Sequence, residues 1–242
     1  MGGVKITKQD TIIKDVLNQN RTFLMEHESK DLIAKYDIPV GEYKVVKDEY
    51  EAVKFANKIG YPVVAKLMSP DIIHKTEARV IKLNLNSDEE VRKAYKEVIH
   101  NGKNYNSEAQ IEGVNIQKMM EEGLVEIIIG SIRDINFGPV LMFGLGGIFV
   151  EIFKDVSYRV CPISQGEASK MIRNIKAFPL LDGYRGQPKA DNEKIIEVLL
   201  KCCHLLIENP EIEELDLNPV IVFEKGKGLM VLDARIILRE DL

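Results

Sequence analysis

The stretch IEELDLNPVIVFEKGKGLMVLDARIIL, Ile212–Leu238, decides the fold class because it predicts a long β hairpin that turns at Lys225–Gly228. Asp216 and Asn218 lie two residues apart on the outgoing strand, so their side chains share one face of that strand. Asp233 lies on the returning strand, at the distance along the chain where the arms of such a hairpin meet. The pattern therefore predicts two carboxylates and one amide close together on a sheet surface.

These polar side chains have two interpretations. Converging amide and carboxylate oxygens are hard ligands of the kind that Mg²⁺ prefers, and bound Mg²⁺ also contacts substrate phosphates. Alternatively, Asn218 and Pro219 form a turn while Asp233 caps a strand, with no role in binding. The residues by themselves leave both interpretations open.

Two side chains further upstream are candidates for chemistry. Lys66 lies in the apolar run YPVVAKLM at 61–68, where its amine either extends outward to water or is held inward by an anion. His74 lies in the loop SPDIIHKTEARVIKL at 69–83. A neutral imidazole is nucleophilic near pH 7 and can accept a phosphoryl group, although a single loop histidine is more often a solvated surface residue.

Strands and helices alternate along the rest of the chain and indicate an α+β fold. Residues 1–21 are expected to form an N-terminal arm, and residues 22–242 a single domain with two lobes. The small lobe is expected at about 42–112, and the large lobe is expected to combine about 22–41 with 113–242.

Three local patterns add detail. The strands VNIQKMM and VEIIIGSIRD are expected to be joined by a hairpin-like turn at Glu121–Gly123. Ser164 and Glu167 form the pattern of a capping box at the start of a helix. The sequence FGLGGIF at 143–149 is either a phosphate cradle or a close crossing of two backbones, because its glycine spacing matches neither common nucleotide-binding loop.

Composition narrows the function. The 242 residues include 33 Lys and Arg against 38 Asp and Glu, a net charge of −5, which argues against a nucleic-acid partner bound by charge alone. Cys161, Cys202 and Cys203 are odd in number and include an adjacent pair, so we expect no disulfide framework and a cytoplasmic location. Glycines, a proline and charged residues interrupt the apolar stretches, so no membrane segment is expected.

Four stretches taken together carry a family resemblance from about Thr22 to Leu238. The chain resembles the ATP-grasp domain of the nucleotide-forming acyl-CoA synthetases, in particular the β subunits of ADP-forming acetate–CoA ligases and, more distantly, of succinyl-CoA synthetase. This resemblance implies an ATP-grasp fold of two lobes with the nucleotide bound between them. The stretches are YPVVAKLMSPDIIHKTE, GSIRDINFGPVLMFGLGGIFVEIFKDVSYR, AFPLLDGYRG and ELDLNPVIV with VLDARI.

The resemblance implies roles for five residues in nucleotide binding. Lys66 stands where family members have an inward lysine that contacts the phosphates, which would pair its buried amine. Gln117, Lys118 and Met119 stand at the strand that meets adenine. Many relatives have Glu at the position of Lys118, so backbone contacts are expected there rather than a side-chain role. Glu126 stands at the position of an acidic nucleotide contact.

The resemblance also implies a metal and a phosphoryl carrier. Asn218 and Asp233 correspond to the residues that hold Mg²⁺, with ADP or ATP as the substrate nucleotide. His74 corresponds to a histidine that takes the phosphoryl group, and Asp216 is the natural carboxylate partner to fix its tautomer.

One position departs from the family pattern. Arg79 and Val80 replace the usual Gly-Gly, so the loop is expected to be stiffer, or Arg79 itself grips a phosphate.

The implied reaction converts acetyl-CoA, ADP and phosphate into acetate, CoA and ATP. It requires a CoA-binding α subunit that carries a second phosphohistidine, and an α2β2 assembly is expected. Two alternatives stay open: a stand-alone ATP-grasp carboxylate ligase without phosphohistidine, and a nucleotide-binding regulatory module without turnover.

Overall fold

The computed structural model describes residues 10–120, 123–147, 150 and 152–239. The chain divides into two compact units. Unit 1 comprises the described parts of Met1–Val40 and Glu122–Leu242, and unit 2 comprises Gly41–Glu121. Every helix within the described ranges is too short or too polar to cross a membrane.

Helices and strands are numbered here in chain order. The helices are α1 (Thr11–Asn18), α2 (Glu26–Ala34), α3 (Glu49–Ile59), α4 (Asp88–Tyr105), α5 (Gln165–Arg173), α6 (Phe178–Leu181) and α7 (Asn192–Glu208), and a 3-10 turn spans Tyr184–Gly186. The strands are β1 (Phe23–Leu24), β2 (Tyr43–Val46), β3 (Val63–Met68), β4 (Ile81–Leu85), β5 (Gly113–Lys118), β6 (Val125–Asp134), β7 (Gly138–Leu145), β8 (Val156–Val160), β9 (Ile212–Val222), β10 (Leu229–Val231) and β11 (Ala234–Leu238).

Unit 2 is a four-stranded antiparallel sheet, in the order β2-β5-β3-β4, that packs on α3 and α4. Each helix begins at a capping side chain, since Asp48 and Ser87 accept hydrogen bonds from backbone N–H groups of the first turn. Ala65 of β3 and Ile116 of β5 belong to the apolar core on the helix side. Since side chains alternate along a strand, Lys66 lies on the opposite face of the sheet.

Unit 1 contains a seven-stranded antiparallel sheet in the order β1-β11-β9-β6-β7-β8, with β10 paired to β9. Leu215 and Leu217 of β9 and Ile129 of β6 lie in the apolar core of the unit, which also contains residues of α7. Asp216 alternates with these leucines and therefore lies on the other face of the sheet. The predicted hairpin is confirmed, because Phe223 N donates to Gly228 O at 3.0 Å across its turn.

The structure corrects the prediction of a hairpin between VNIQKMM and VEIIIGSIRD. β5 pairs with β2 and β3 in unit 2, whereas β6 pairs with β7 and β9 in unit 1. Glu121 and Glu122 of the expected turn lie outside the described residues. The segment links two units rather than two paired strands.

The N-terminal segment also differs from the expected arm. The described part of residues 1–21 contains α1, capped by the Asp10 side chain, and Ile13 and Val16 are fully buried in the core of unit 1. Residues 1–9 lie outside the described residues.

The structure corrects the expectation of no disulfide framework by one bond. Cys161, directly after β8, is bonded to Cys203 on α7, with the two Cα atoms 5.5 Å apart. Cys202 is a free, buried thiol, and burial raises its pKa to about 12. The sequence could not indicate this bond because the two cysteines are separated by 42 residues.

Candidate functional site

Lys66 lies at the centre of β3 and is only 7% exposed. In the sheet register its direct neighbours are Ile81 on β4 and Asn115 on β5. Asn115 and Gln117 lie on the same face of the sheet as Lys66, and both are buried. An amine and two amides thus form a polar row on the sheet face away from the apolar core of unit 2.

The strand end expected to meet adenine has most of its nearby hydrogen-bonding groups already in use. Lys118 N donates to Glu42 O at 3.1 Å, and Met119 N donates to Pro62 O at 3.0 Å. The Lys118 ammonium donates to Gly60 O at 3.1 Å and to Tyr61 O at 2.8 Å. The Lys118 side chain therefore fastens the loop ahead of β3, which explains why an amine can stand at this position.

His74 lies in an exposed loop between β3 and β4, and its side chain is 69% exposed. Its Nδ1 is 3.8 Å from Glu77 Oε1. The loop is nevertheless held at defined points, since Ala78 N donates to His74 O at 3.1 Å and Gln110 N donates to Asp71 Oδ2 at 2.7 Å. The imidazole is thus exposed to solvent, while the loop that carries it is held by hydrogen bonds within unit 2.

Arg79 and Val80, at the end of the His74 loop, have different surroundings. Arg79 has φ +53°, a left-handed conformation that glycine adopts without strain. Its carbonyl accepts from Asn101 Nδ2 at 2.9 Å, while the arginine side chain is exposed. Val80 is fully buried in the apolar core of unit 2, and its N–H donates to Lys75 O at 3.1 Å. Val80 therefore anchors the end of the His74 loop.

Asn218 and Asp233 lie opposite each other in unit 1, as the hairpin predicts. Asn218 N donates to Asp233 O at 3.2 Å, directly beside the register pair Leu217 and Ala234. The part of the chain that the structure describes holds no group of three His, Cys, Asp or Glu side chains suited to a metal. An amide and one carboxylate fit a hard cation that completes its coordination with water and substrate oxygens, as Mg²⁺ does.

Asp216 lies between Gly130 on β6 and Arg235 on β11. It lines a groove of about 320 Å³ whose other walls include Ile128 and Met142. Its Oδ1 is buried and has no hydrogen-bond partner within the part of the chain that the structure describes. Burial raises the pKa of the Asp216 carboxyl, and the charge of Arg235 partly opposes this rise. A carboxylate oxygen without a donor, in a mostly apolar groove, is suited to accept an N–H from a visiting group.

Glu126 is exposed on β6, and Gly146 lies beside it at the end of the β6–β7 pairing. Gly146 N donates to Glu126 O at 2.8 Å, and a Cβ on Gly146 would meet Glu126 Cβ at 3.1 Å. This bond continues the β6–β7 ladder beyond the pair Ile127 and Leu145, so it favours neither interpretation of FGLGGIF. Ile148 and Phe149 of that segment lie outside the described residues.

Two residues near the candidates have no recognisable signal in the sequence. An amide on an apolar strand carries no motif, and only the strand register reveals that Asn115 lies opposite Lys66. The position of Arg235 opposite Asp216 likewise depends on how β11 pairs with β9.

Comparison with known proteins identifies the class. The model of the ATP-grasp domain family matches residues 15–238, and the chain therefore belongs to the ATP-grasp family. It is 49% identical over 229 residues to acetate–CoA ligase [ADP-forming] II subunit β of Pyrococcus furiosus, covering 94% of this chain and 97% of the relative. It is also 40% identical to acetate–CoA ligase [ADP-forming] I of Archaeoglobus fulgidus, covering 99% of this chain but 34% of that longer protein.

Solved structures agree with this grouping. The fold matches acetyl-coenzyme A synthetase 1 of Candidatus Korarchaeum cryptofilum, in complex with coenzyme A and Ca-AMPCP, with a TM-score of 0.89 and 48% identity over 94% of this chain and 98% of that one. The same enzyme with coenzyme A and Mg-AMPPCP, its phosphohistidine segment pointing towards the nucleotide site, matches with a TM-score of 0.83 and 45% identity over the same shares.

Proposed function

We propose that this chain is the nucleotide-binding β subunit of an ADP-forming acetate–CoA ligase, which converts acetyl-CoA, ADP and phosphate into acetate, CoA and ATP. The observation that carries this proposal is the match to such β subunits along almost the whole chain. An exposed loop histidine directly after the lysine strand supports it. The two nucleotide-analogue complexes of the related enzyme are consistent with the nucleotide as substrate.

The reaction proceeds by one acetyl transfer followed by three phosphoryl transfers. On the α subunit, a phosphate oxygen attacks the thioester carbonyl and CoA leaves, taking the phosphate proton on its thiol. A histidine of the α subunit then takes the phosphoryl group from acetyl phosphate and releases acetate. His74 accepts the group from that histidine, and the β-phosphate oxygen of ADP finally takes it from His74 as the phosphorus–nitrogen bond breaks.

The exposure of His74 suits this role, because a carrier must meet donors and acceptors in turn. Asp216 accepts the N–H of one ring nitrogen, so that the other presents its lone pair to phosphorus. This assignment is supported by the buried Oδ1 of Asp216, which has no hydrogen-bond partner among the described residues and can accept an N–H.

Lys66 contributes charge neutralisation at the nucleotide phosphates, with Gln117, Lys118 and Met119 positioning the base and Glu126 contacting the nucleotide. Asn218 and Asp233 would hold Mg²⁺, which when bound neutralises phosphate charge. Their amide and carboxylate oxygens fit that ion, and their backbones are joined across the hairpin.

The partner is a CoA-binding α subunit with a second phosphohistidine, in an α2β2 assembly located in the cytoplasm. Longer single-chain relatives, of which this chain spans about a third, support a second component of about twice this length.

The test is coupled ATP synthesis by the two purified subunits from acetyl-CoA, ADP and phosphate, followed by luciferase. Wild type forms ATP only when the second subunit is present. The rate of the His74→Ala enzyme falls at least a thousandfold. The control variant is His100→Ala, which keeps wild-type activity, because His100 is an exposed histidine on α4. Full activity of the His74→Ala enzyme would contradict the relay, and ATP formation without a second subunit would contradict the subunit assignment.

A further inference from the structure

Asn115, at the centre of β5, is fully buried and has one unsatisfied polar atom. Its Nδ2 donates to Gln117 Oε1 at 3.4 Å, but its Oδ1 has no hydrogen-bond partner among the described residues. Buried amide oxygens are nearly always hydrogen-bonded, because leaving one without a donor costs stability. Asn also has a low preference for strands, so neither packing nor backbone propensity explains it here.

The strand register limits the groups that can supply the missing donor. Across the sheet, Asn115 lies directly between Val45 on β2 and Lys66 on β3. Along its own strand, the neighbours on the same face are Gly113 and Gln117. Val45 and Gly113 have no side-chain donor, and Gln117 turns its Oε1 acceptor toward the Asn115 amide. The Lys66 ammonium has three N–H groups and lies directly opposite Asn115 in the register, so it is the neighbour best placed to donate.

We propose that Asn115 is a positioning residue for nucleotide binding, whose Oδ1 accepts one N–H of Lys66 when that lysine contacts the nucleotide phosphates. This inference rests on the proposed function of Lys66. Residues directly opposite on neighbouring strands have Cβ atoms about 5 Å apart, within reach of such a bond. A neutral amide orients the ammonium without cancelling its charge, which a carboxylate at the same position would do.

The arrangement has an energetic consequence. Before the nucleotide binds, the protein bears the cost of the unsatisfied oxygen. When the ammonium turns to the phosphates and bonds to Asn115, that oxygen is satisfied, and the gain adds to nucleotide affinity. Asn115 therefore lowers the stability of the free chain and raises its affinity for the nucleotide.

Isothermal titration calorimetry on the full chain measures this trade, with Mg-ADP and adenosine as probes. Asn115→Leu removes the acceptor and keeps a similar volume. We expect it to weaken Mg-ADP binding about 10-fold, equivalent to about 1.4 kcal/mol, and to leave adenosine binding unchanged. In a Lys66→Met background the same substitution has no further effect, because the donor is already absent.

Asn209→Leu is the matched control. Asn209 is a buried amide in unit 1 that is satisfied, since its Nδ2 donates to Leu205 O at 2.8 Å. This variant lowers the melting temperature and leaves Mg-ADP affinity unchanged, whereas Asn115→Leu keeps or raises the melting temperature.

Two results overturn the inference alone: Asn115→Leu with wild-type Mg-ADP affinity while Lys66→Met is weakened, or an equal loss for adenosine. If Lys66→Met itself binds Mg-ADP like wild type, the proposed role of Lys66 fails and this inference fails with it.

Discussion

Replacing Asp216 by Asn should stabilise the protein at neutral pH while impairing the phosphoryl relay. Asp216 Oδ1 is buried and receives no hydrogen bond from any of the described residues. Burial raises the pKa of this carboxyl, Arg235 opposes the rise, and the charges of Asp233 and Glu214 add to it. The Asp216 carboxylate is therefore solvated less well in the folded state than in the unfolded state, which lowers the free energy of unfolding. A neutral amide at this position avoids that loss.

The expected gain is modest. A buried polar group without a partner costs about 1 to 3 kcal/mol, and the low end applies because Asp216 is only partly buried and faces Arg235. In a protein of this size, a gain of about 1 kcal/mol raises the melting temperature by about 2 to 4 °C.

Asp155→Asn is the matched comparison and should have the opposite sign. Asp155 is buried, and its two oxygens accept from Lys176 N and Ala177 N, each at 2.8 Å. An amide accepts only one of these bonds and turns its NH₂ toward the other donor. We expect a loss of about 2 kcal/mol, or about 4 to 8 °C in melting temperature.

Differential scanning calorimetry at several pH values checks both the size and the origin of the effect. A raised folded-state pKa means that the native protein binds more protons than the unfolded chain, so its stability falls as pH rises from the ordinary pKa of Asp through the raised one. The stabilisation of Asp216→Asn relative to wild type is therefore complete above this pH range and decreases as the pH falls through it. A destabilised Asp216→Asn at pH 7, or an advantage independent of pH, would refute the reasoning.

Three further substitutions test separate parts of the structure. Lys118→Met removes two hydrogen bonds to the loop ahead of β3 and should lower the melting temperature by about 4 °C in calorimetry. Cys161→Ser removes the disulfide bond to Cys203 and should lower the free energy of unfolding, measured by urea denaturation, by about 3 kcal/mol. Dithiothreitol should lower it by the same amount in wild type and have no effect on the variant. Asp233→Asn should weaken ADP binding at least 10-fold in the presence of Mg²⁺ and little in EDTA; equal losses in both would remove the residue from the proposed pair with Asn218.

Local signals in the sequence predicted much of the fold. The capping box is present, since Ser164 Oγ accepts from Glu167 N at 3.3 Å and Ser164 N donates to Glu167 Oε2 at 2.7 Å. The Ile212–Leu238 hairpin is also as predicted, because residues close in sequence determine both its turn and its register. Both features depend only on residues that lie close together in the sequence.

Features that depend on distant pairing could not be predicted in this way. Glu121–Gly123 has the composition of a turn, and no local signal distinguishes a hairpin from a link between units. The bond of Cys161 to Cys203 depends on where β8 ends relative to α7. Asn115 illustrates the same limit at the site, because its significance follows from a register with β3 and from an unsatisfied oxygen.

The central claim, that His74 carries the phosphoryl group, is tested most directly by phosphate labelling. The chain is incubated with its α subunit, Mg²⁺ and γ-³²P-labelled ATP, digested at alkaline pH, and the labelled peptide is sequenced by mass spectrometry. The account predicts acid-labile, base-stable label on the peptide containing His74, and none on this chain in His74→Ala. Label on another residue, or an unlabelled chain in an enzyme that makes ATP, would contradict it.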